Sequence, residues 1–406
     1  MPKAILPKFS RLLSACLLLV GVSYGAWALL RPLPPIAPQS LPLSMVTTGP
    51  ANDLRWPAQG QAAVGINPSG VLAMHGAEQP VPIASTAKVL TALMVLKKHP
   101  LALGQTGPKI TITNADVQLY NNYVAADGSV TAVTVGETLT EYQMLQAILL
   151  PSANNIADSL AIWAFGSLSN YATFTNNYIR QLGLTHTQVG GDASGYDPST
   201  VSTAHDLVLL GEAAMQQPVL AEIVGQASAT LPVAGVIENV NGLLGTQNII
   251  GVKTGNTDAA GGVFLAAQQA TIGGKRLTLI AAVVGTSTLR EALINSLPLL
   301  ASAQQNFVAT TVVPAKTTVG KYTTAWGGTV SAVTHDPVSA LVWKGSTVTP
   351  VVNLLPLAAG SVAGTKAGTL QLPESSFGPA QTAPVTLSGS ISQPNWVWRL
   401  MHPTKN

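Results

Sequence analysis

A serine hydroxyl is a weak nucleophile until a neighbour takes its proton. This sequence sets a lysine three residues after a serine, in Ser85-Thr86-Ala87-Lys88. At a helix start that spacing puts both side chains on one face, about one turn apart. Lys88 can act as the base if burial or a nearby cation lowers its pKa, and Lys253 can be that cation. Two more short motifs follow in order, Ser152-Ala153-Asn154 and Lys253-Thr254-Gly255, and each of the three motifs occurs once. Ser152 offers a hydroxyl that can pass a proton to a leaving amine. Asn154 can hold a substrate amide and orient Lys88. Lys253 and Thr254 can bind a terminal carboxylate by charge and hydrogen bond, and Gly255 lets substrate approach the backbone. The oxyanion of a tetrahedral intermediate needs preorganised donors; the backbone N–H groups of Ser85 and Asn256 are the natural pair. Singly, the motifs have ordinary structural explanations: a helix cap with a solvated lysine, a polar turn, an exposed strand end. As an ordered set they describe an acyl-transfer site.

Such a site needs a helical part and a sheet facing one cleft. Val89, Leu90, Leu93 and Met94 at helical spacing predict a helix over 87–98, with Ser85 and Thr86 at its start. Apolar runs at 62–66 and 71–74 flank Asn67-Pro68-Ser69-Gly70 and predict strand, turn, strand. A short strand is expected at 110–113 and a loop-rich stretch over 115–135. Thr140-Glu141-Tyr142-Gln143 reads as a capping box opening a helix that Pro151 breaks. Helices are expected over 155–165 and 171–182, and a second capping box, Thr203-Ala204-His205-Asp206, opens another to about residue 215. Three consecutive strands are expected at 249–254, 262–268 and 277–284, then a helix over 290–304. From about residue 314 short Thr/Val-rich strands with Gly and Pro turns predict a separate small β domain, ending near Trp396-Val397-Trp398.

Only 9% of the 406 residues are charged, against about a quarter in ordinary domains, so Ser, Thr, Asn and Gln must solvate much of the surface. A net charge of +3 is too small to argue for nucleic acid. The one cysteine, Cys16, allows neither an internal disulfide nor a cysteine metal site. The six histidines form no H-E-x-x-H pattern, which argues against a zinc hydrolase. No metal or cofactor is expected.

Lys3, Lys8 and Arg11 precede an almost uncharged stretch over 12–30, long enough to cross a bilayer as a helix. The positive residues stay on the cytoplasmic side, so the body of the chain lies outside. Ala26-Trp27-Ala28 is also a small-x-small cleavage pattern. An uncleaved anchor in the cytoplasmic membrane and a secreted, cleaved form therefore both stand; the apolar run, which continues past Ala28 to Leu30, favours the anchor. Prolines crowd the next segment, including Pro32, Pro34, Pro35, Pro38, Pro42, Pro50 and Pro57, as in an extended, semi-rigid spacer. The expected organisation is a cytoplasmic 1–11, a span 12–30, a spacer 31–57, a catalytic domain 58–308 and a β domain 314–400.

The chain resembles the low-molecular-mass penicillin-binding proteins, which are serine-type D-alanyl-D-alanine carboxypeptidases. The resemblance covers about residues 62–304 and, more loosely, the β domain. It rests on Ala84-Ser85-Thr86-Ala87-Lys88, Gly136-Glu137-Thr138-Leu139-Thr140, Leu149-Leu150-Pro151-Ser152-Ala153-Asn154 and the long run Gly251-Val252-Lys253-Thr254-Gly255-Asn256-Thr257-Asp258-Ala259-Ala260-Gly261. It implies an α/β (α+β) fold of the serine β-lactamase and DD-peptidase type, a helical subdomain plus an antiparallel sheet, followed by a small all-β domain. It implies Ser85 as the acylated nucleophile, Lys88 as general base, Ser152 and Asn154 completing the site, and Lys253 and Thr254 on the substrate carboxylate. Arg290 lies where the family often has an arginine near that carboxylate. The implied partners are peptidoglycan stem peptides, β-lactams as covalent inhibitors, and the cytoplasmic membrane. Asn256 departs from a common histidine, Ala153 from a common glycine, and 117–130 matches poorly. Many members end in an amphipathic helix on the membrane; here anchoring is expected to fall to the N-terminus. A class A β-lactamase shares the motifs but adds a glutamate that activates water, and no E-x-x-L-N pattern lies between Asn154 and Lys253. A catalytically silent sensor has no need of Ser85 and Lys88 together.

Overall fold

The structure, a computed structural model, describes residues 6–43, 46–47, 50, 53–372, 377 and 381–403. Lys3 lies outside these residues. The chain forms two compact units, Gly49–Val308 and a second made of Met1–Thr48 with Ala309–Asn406.

The first unit is built on a five-stranded antiparallel sheet. Its strands are β1 (Gln61–Asn67), β2 (Gly70–His75), β3 (Ile249–Thr257), β4 (Gly261–Ile272) and β5 (Lys275–Thr286), in the spatial order β3-β4-β5-β1-β2. The last three are longer than the apolar runs suggest, because their ends keep pairing after the core is covered: Thr257 still opposes Gly261 and Ile272 opposes Lys275. Between β2 and β3 the chain makes α1 (Ala87–Lys98), α2 (Asn114–Ala125), α3 (Glu141–Leu149), α4 (Asn154–Phe165), α5 (Leu168–Gln181), α6 (Ala204–Gln216) and α7 (Pro218–Val224); α8 (Leu289–Gln304) follows β5. Leu90, Met94, Ile148, Ile156, Leu160, Leu207, Leu265 and Ile280 are all fully buried in one continuous core.

The stretch expected to be loop-rich contains α2. Thr113 and Asp116 cap it reciprocally, but only Tyr123 of its residues is buried, so it carries almost no apolar periodicity for a sequence reading to find. The capping box at Thr140 and Gln143 is formed. At Thr203 only half of the box is present. Thr203 accepts from the Asp206 N–H at 3.2 Å, while the Asp206 carboxylate turns to the His186 N–H at 2.7 Å and the Thr187 hydroxyl at 2.8 Å.

The second unit is a six-stranded antiparallel sheet in the order Pro38–Ser40, Thr318–Thr323, Thr329–Thr334, Gln381–Leu387, Lys366–Leu372, Val351–Leu354. Part of the proline-rich segment thus supplies an edge strand of the β domain. The reason is local: a proline-rich segment is already extended, and an edge strand tolerates a missing N–H. The Tyr322 hydroxyl closes the core by donating to Leu355 O at 2.6 Å and Ala367 O at 3.0 Å. The same unit holds the long helix Leu6–Leu30 and a short helix, Trp396–Met401.

Candidate active site

Ser85 sits in a single tight turn, Ala84–Thr86, that runs into α1. The Thr86 hydroxyl pins the turn by donating to Ile83 O at 2.6 Å. Ala84 is held at φ 46, the left-handed region that an alanine rarely visits, so the backbone just before the serine is strained by its surroundings. Gly195 makes room for it: a Cβ there would lie 2.1 Å from Ala84 O.

Lys88, in the first turn of α1, is fully buried. Its Nζ lies within hydrogen-bond reach of Ser85 Oγ at 2.7 Å, Asn154 Oδ1 at 2.7 Å and Ser194 O at 3.0 Å. Burial, then the positive charge of Lys253, push its pKa well below the ordinary lysine value, while Asp192 and Asp158 pull the other way. A neutral amine has two N–H groups and one lone pair. With Asn154 Oδ1 and Ser194 O taking the two N–H groups, the lone pair faces the Ser85 hydroxyl. That is the geometry of a base about to accept the serine proton.

α3 stops before Pro151, and Ser152 takes φ 69 to redirect the chain into α4. Asn154, the first residue of α4, points its Oδ1 at Lys88. Its N–H donates to Ser129 O at 2.8 Å. Ser152 is buried, and its Oγ makes no hydrogen bond among the described residues.

β3 carries the third motif past Ser85. A Cβ on Gly255 would lie 2.9 Å from Ile83 O and 3.1 Å from both Ala84 Cβ and Ser85 N, so this glycine is what allows the strand to touch the serine turn. Lys253 is 1% exposed. Among the described residues its one side-chain hydrogen bond, at 3.2 Å, goes to Thr254 O, and burial pushes its pKa down to about 7. A cavity of about 400 Å³ opens above, lined by Ser85, Asn154 and Asn256 together with Asp127, Gly128 and Tyr196. Lys88, Ser152, Lys253, Thr254 and Gly255 are not on its wall. Arg290 is exposed and lines a neighbouring cavity of about 570 Å³ that shares Asn256, Thr257 and Asp258 with the first. It does not share a wall with Ser85.

Sequence reasoning missed the groups that hold this arrangement. Asp158, one turn after Asn154 on α4, accepts from the Tyr123 hydroxyl at 2.7 Å and the Ala193 N–H at 2.9 Å, and burial raises its pKa to about 6. Asp192 accepts from the N–H groups of Ser194 at 2.9 Å and Gly195 at 2.6 Å, which fixes the carbonyl that Lys88 uses. Asn155 clamps the cavity loop through the Thr131 N–H and carbonyl, both at 3.0 Å. One signal was readable: an aspartate at 158 among Ile156, Ala157, Leu160 and Ala161 is an ionisable group on an apolar helix. Among the described residues no group of three or more His, Cys, Asp or Glu is placed to hold a metal ion.

Residues 48–288 match a family model described as D-alanyl-D-alanine carboxypeptidase. The chain is 35% identical over 229 residues to D-alanyl-D-alanine carboxypeptidase DacB2 of Mycobacterium tuberculosis, covering 55% of this chain and 74% of that one. It is 31% identical over 241 residues to DacA of Escherichia coli, covering 57% of each. Among solved structures, penicillin binding protein 5 from Haemophilus influenzae superposes with a TM-score of 0.58 at 21% identity, over 84% of this chain and 99% of that one. A D-alanyl-D-alanine carboxypeptidase from Mycobacterium tuberculosis superposes with a TM-score of 0.54 at 30% identity, over 63% and 95%. The first likeness extends the shared fold beyond the catalytic unit.

Proposed function

The chain belongs to the S11 peptidase family of D-alanyl-D-alanine carboxypeptidases, and from that premise we propose that it removes the terminal D-alanine of peptidoglycan stem pentapeptides through an acyl-enzyme on Ser85. The observation that carries the proposal is the contact of a buried, pKa-depressed Lys88 with Ser85 Oγ at 2.7 Å. Neutral Lys88 takes the hydroxyl proton as Ser85 Oγ attacks the carbonyl carbon between the last two D-alanines. The oxyanion is held by the N–H groups of Ser85 and Asn256. The C–N bond then breaks, and the leaving amine receives the proton from the Lys88 ammonium by way of the Ser152 hydroxyl. Water, deprotonated by Lys88, cleaves the ester and frees the tetrapeptide.

Lys253 supplies the positive field that draws the substrate's terminal carboxylate, with Thr254 beside it. Burial first, and the charge of Lys253 second, lower the pKa of Lys88 and so favour its neutral form; in this reading one lysine serves both binding and base strength. A β-lactam presents the same amide and acylates the same serine. Arg290, which lines the neighbouring cavity and not the one at Ser85, would meet parts of the substrate that extend past Asn256. The helix Leu6–Leu30 is the membrane anchor in this reading, with the catalytic unit outside; within its 20-residue segment Arg11–Leu30 an 18-residue window reaches a mean hydropathy of 1.9.

The test is D-alanine release from a pentapeptide by the purified chain, with intact-mass and peptide mapping after penicillin exposure. We expect stoichiometric release, an adduct on the peptide containing Ser85, and neither with Ser85→Ala. An adduct on another residue, or undiminished release by Ser85→Ala, would overturn the assignment.

A further inference from the structure

The cavity that Ser85 lines is charged on one sign only. Its charged wall residues are Asp127, just after α2, and Asp258, in the turn from β3 to β4; both are exposed. Among the described residues neither carboxylate takes part in an ion pair or a side-chain hydrogen bond. Arg290 lines the neighbouring cavity with Asp258 but forms no ion pair with it. The cation of the site, Lys253, is buried instead. In a chain of net charge +3 with only 9% charged residues, two unpaired carboxylates on the wall beside the reactive serine are not what composition supplies by default.

Asp127 is also held in place. It takes φ 55, in the left-handed region that aspartate enters more readily than most residues. Its N–H donates to Val124 O at 3.2 Å, and the Gly128 N–H donates to Tyr123 O at 2.8 Å. The Tyr196 hydroxyl donates to Ala126 O, and the Asn154 N–H donates to Ser129 O at 2.8 Å. A Cβ on Gly128 would lie 2.8 Å from Asn154 Nδ2, so this loop rests against the residue whose Oδ1 meets Lys88. Asp127 belongs to the stretch 117–130 that matches the family poorly, so it is not carried over with the family's motifs.

The substrate must pass this wall. The Cα of the residue before the two D-alanines lies one peptide, about 3.8 Å, from that of the attacked D-alanine, so its side chain leaves past the walls of the cavity. A substrate complementary to the field has a terminal carboxylate for Lys253 and a positive charge one residue upstream of the acyl bond for the aspartates. We propose that Asp127, with Asp258, selects stem peptides whose third residue carries a free side-chain ammonium. The proposal rests on the reading of Ser85 as the serine that stem peptides acylate. An amine already acylated in a cross-link is neutral and loses this contact, so the cavity favours stems that are not yet cross-linked.

The test compares D-alanine release by the full chain from Nα-acetyl-L-Lys-D-Ala-D-Ala, which keeps its ε-ammonium, and from the Nα,Nε-diacetyl peptide, which does not. We expect kcat/KM to favour the free amine by about fivefold if one carboxylate meets it and about thirtyfold if both do, the range for partly solvated ion pairs. The preference should lie in KM, because the contact is the same before and during acyl transfer, and should shrink as salt screens it. Asp127→Asn should bring the ratio toward one. Asp127→Lys should turn the preference toward Nα-acetyl-L-Glu-D-Ala-D-Ala. Thermal unfolding shows whether each variant is folded; if neither is, the ratio in the parent and its decline with salt decide. Equal or reversed rates in the parent, a preference that salt leaves unchanged, or one that survives in a folded Asp127→Asn overturns the selection while D-alanine release leaves the acyl-enzyme reading standing. No release from either peptide, with no penicillin adduct on Ser85, removes both.

Discussion

Lys253 should be a destabilising residue, and replacing it with methionine should make the protein more stable while disabling it. The lysine is 1% exposed with one long hydrogen bond, so methionine removes a desolvated ammonium, keeps most of the packing volume and leaves little unpaired. Burial brings its pKa from 10.5 to about 7. At 1.36 kcal/mol per pH unit that corresponds to about 5 kcal/mol, an upper figure because methionine also loses the hydrogen bond. The sign follows from proton counting. Between the folded and unfolded pKa values the unfolded chain binds more protons, so stability of the parent rises with pH through this window. The advantage of Lys253→Met is therefore largest below about pH 7, shrinks from there to about pH 10.5, and is absent above it. Near neutral pH a gain of about 3–5 kcal/mol raises the melting temperature of a unit this size by roughly 10 °C. Thermal unfolding of parent and variant at pH 6, 8 and 10, followed by the loss of covalent penicillin labelling capacity in a Ser85-competent sample, measures the parent; tryptophan fluorescence follows both. A variant that melts at or below the parent at pH 6, or whose gain does not shrink with rising pH, refutes the picture of a desolvated charge. The variant should also acylate more slowly, by about tenfold to a hundredfold, the range for losing one charge-assisted contact.

Three further outcomes follow from the same geometry. Gly255→Ala puts a methyl 3.1 Å from Ser85 N and 2.9 Å from Ile83 O, and should slow penicillin acylation about tenfold or more with a stability loss of about 1–3 kcal/mol; unchanged acylation kinetics would show that the turn can yield. Asp158→Asn removes a negative charge that raises the pKa of Lys88, so the rising limb of the acylation rate against pH should move to lower pH, and an unmoved limb would remove Asp158 from the electrostatics of the base. Asn155→Ala deletes both clamps on Thr131 and should cost about 2 kcal/mol in denaturant unfolding, with a lower affinity for peptide substrate; a stability unchanged within error would mean that the loop is held elsewhere.

The contact between Ser85 and Lys88 and the order of the three motifs were legible because each motif lies within a few residues of sequence, and helix or strand geometry alone sets the distances inside it. Ser85 and Lys88 are one helical turn apart in any helix. The helices around them announce themselves by apolar spacing and by the boxes at Thr140 and Gln143. The edge strand Pro38–Ser40 was read as spacer because extended backbone looks the same whether or not it has a partner. Helix α2 was missed because it buries one tyrosine and little else. Asp158, Asp192 and Ser194 were invisible as a group for a related reason: 36 residues, by number, separate Asp158 from Ser194, and no periodicity links them.

What the amino-acid order fixed by itself was the reagent set and its local geometry, because those depend on bonds a few atoms long. What only the folded chain decided was the state of those reagents. Lys88 loses its ordinary pKa because α1, α4 and the segment at Asp192 enclose it beside Lys253, and Arg31 and Arg399, near opposite ends of the chain, donate to carbonyls on each other's segment. Desolvation and long-range charge are properties of three-dimensional surroundings, and a one-dimensional sequence carries no distance across them.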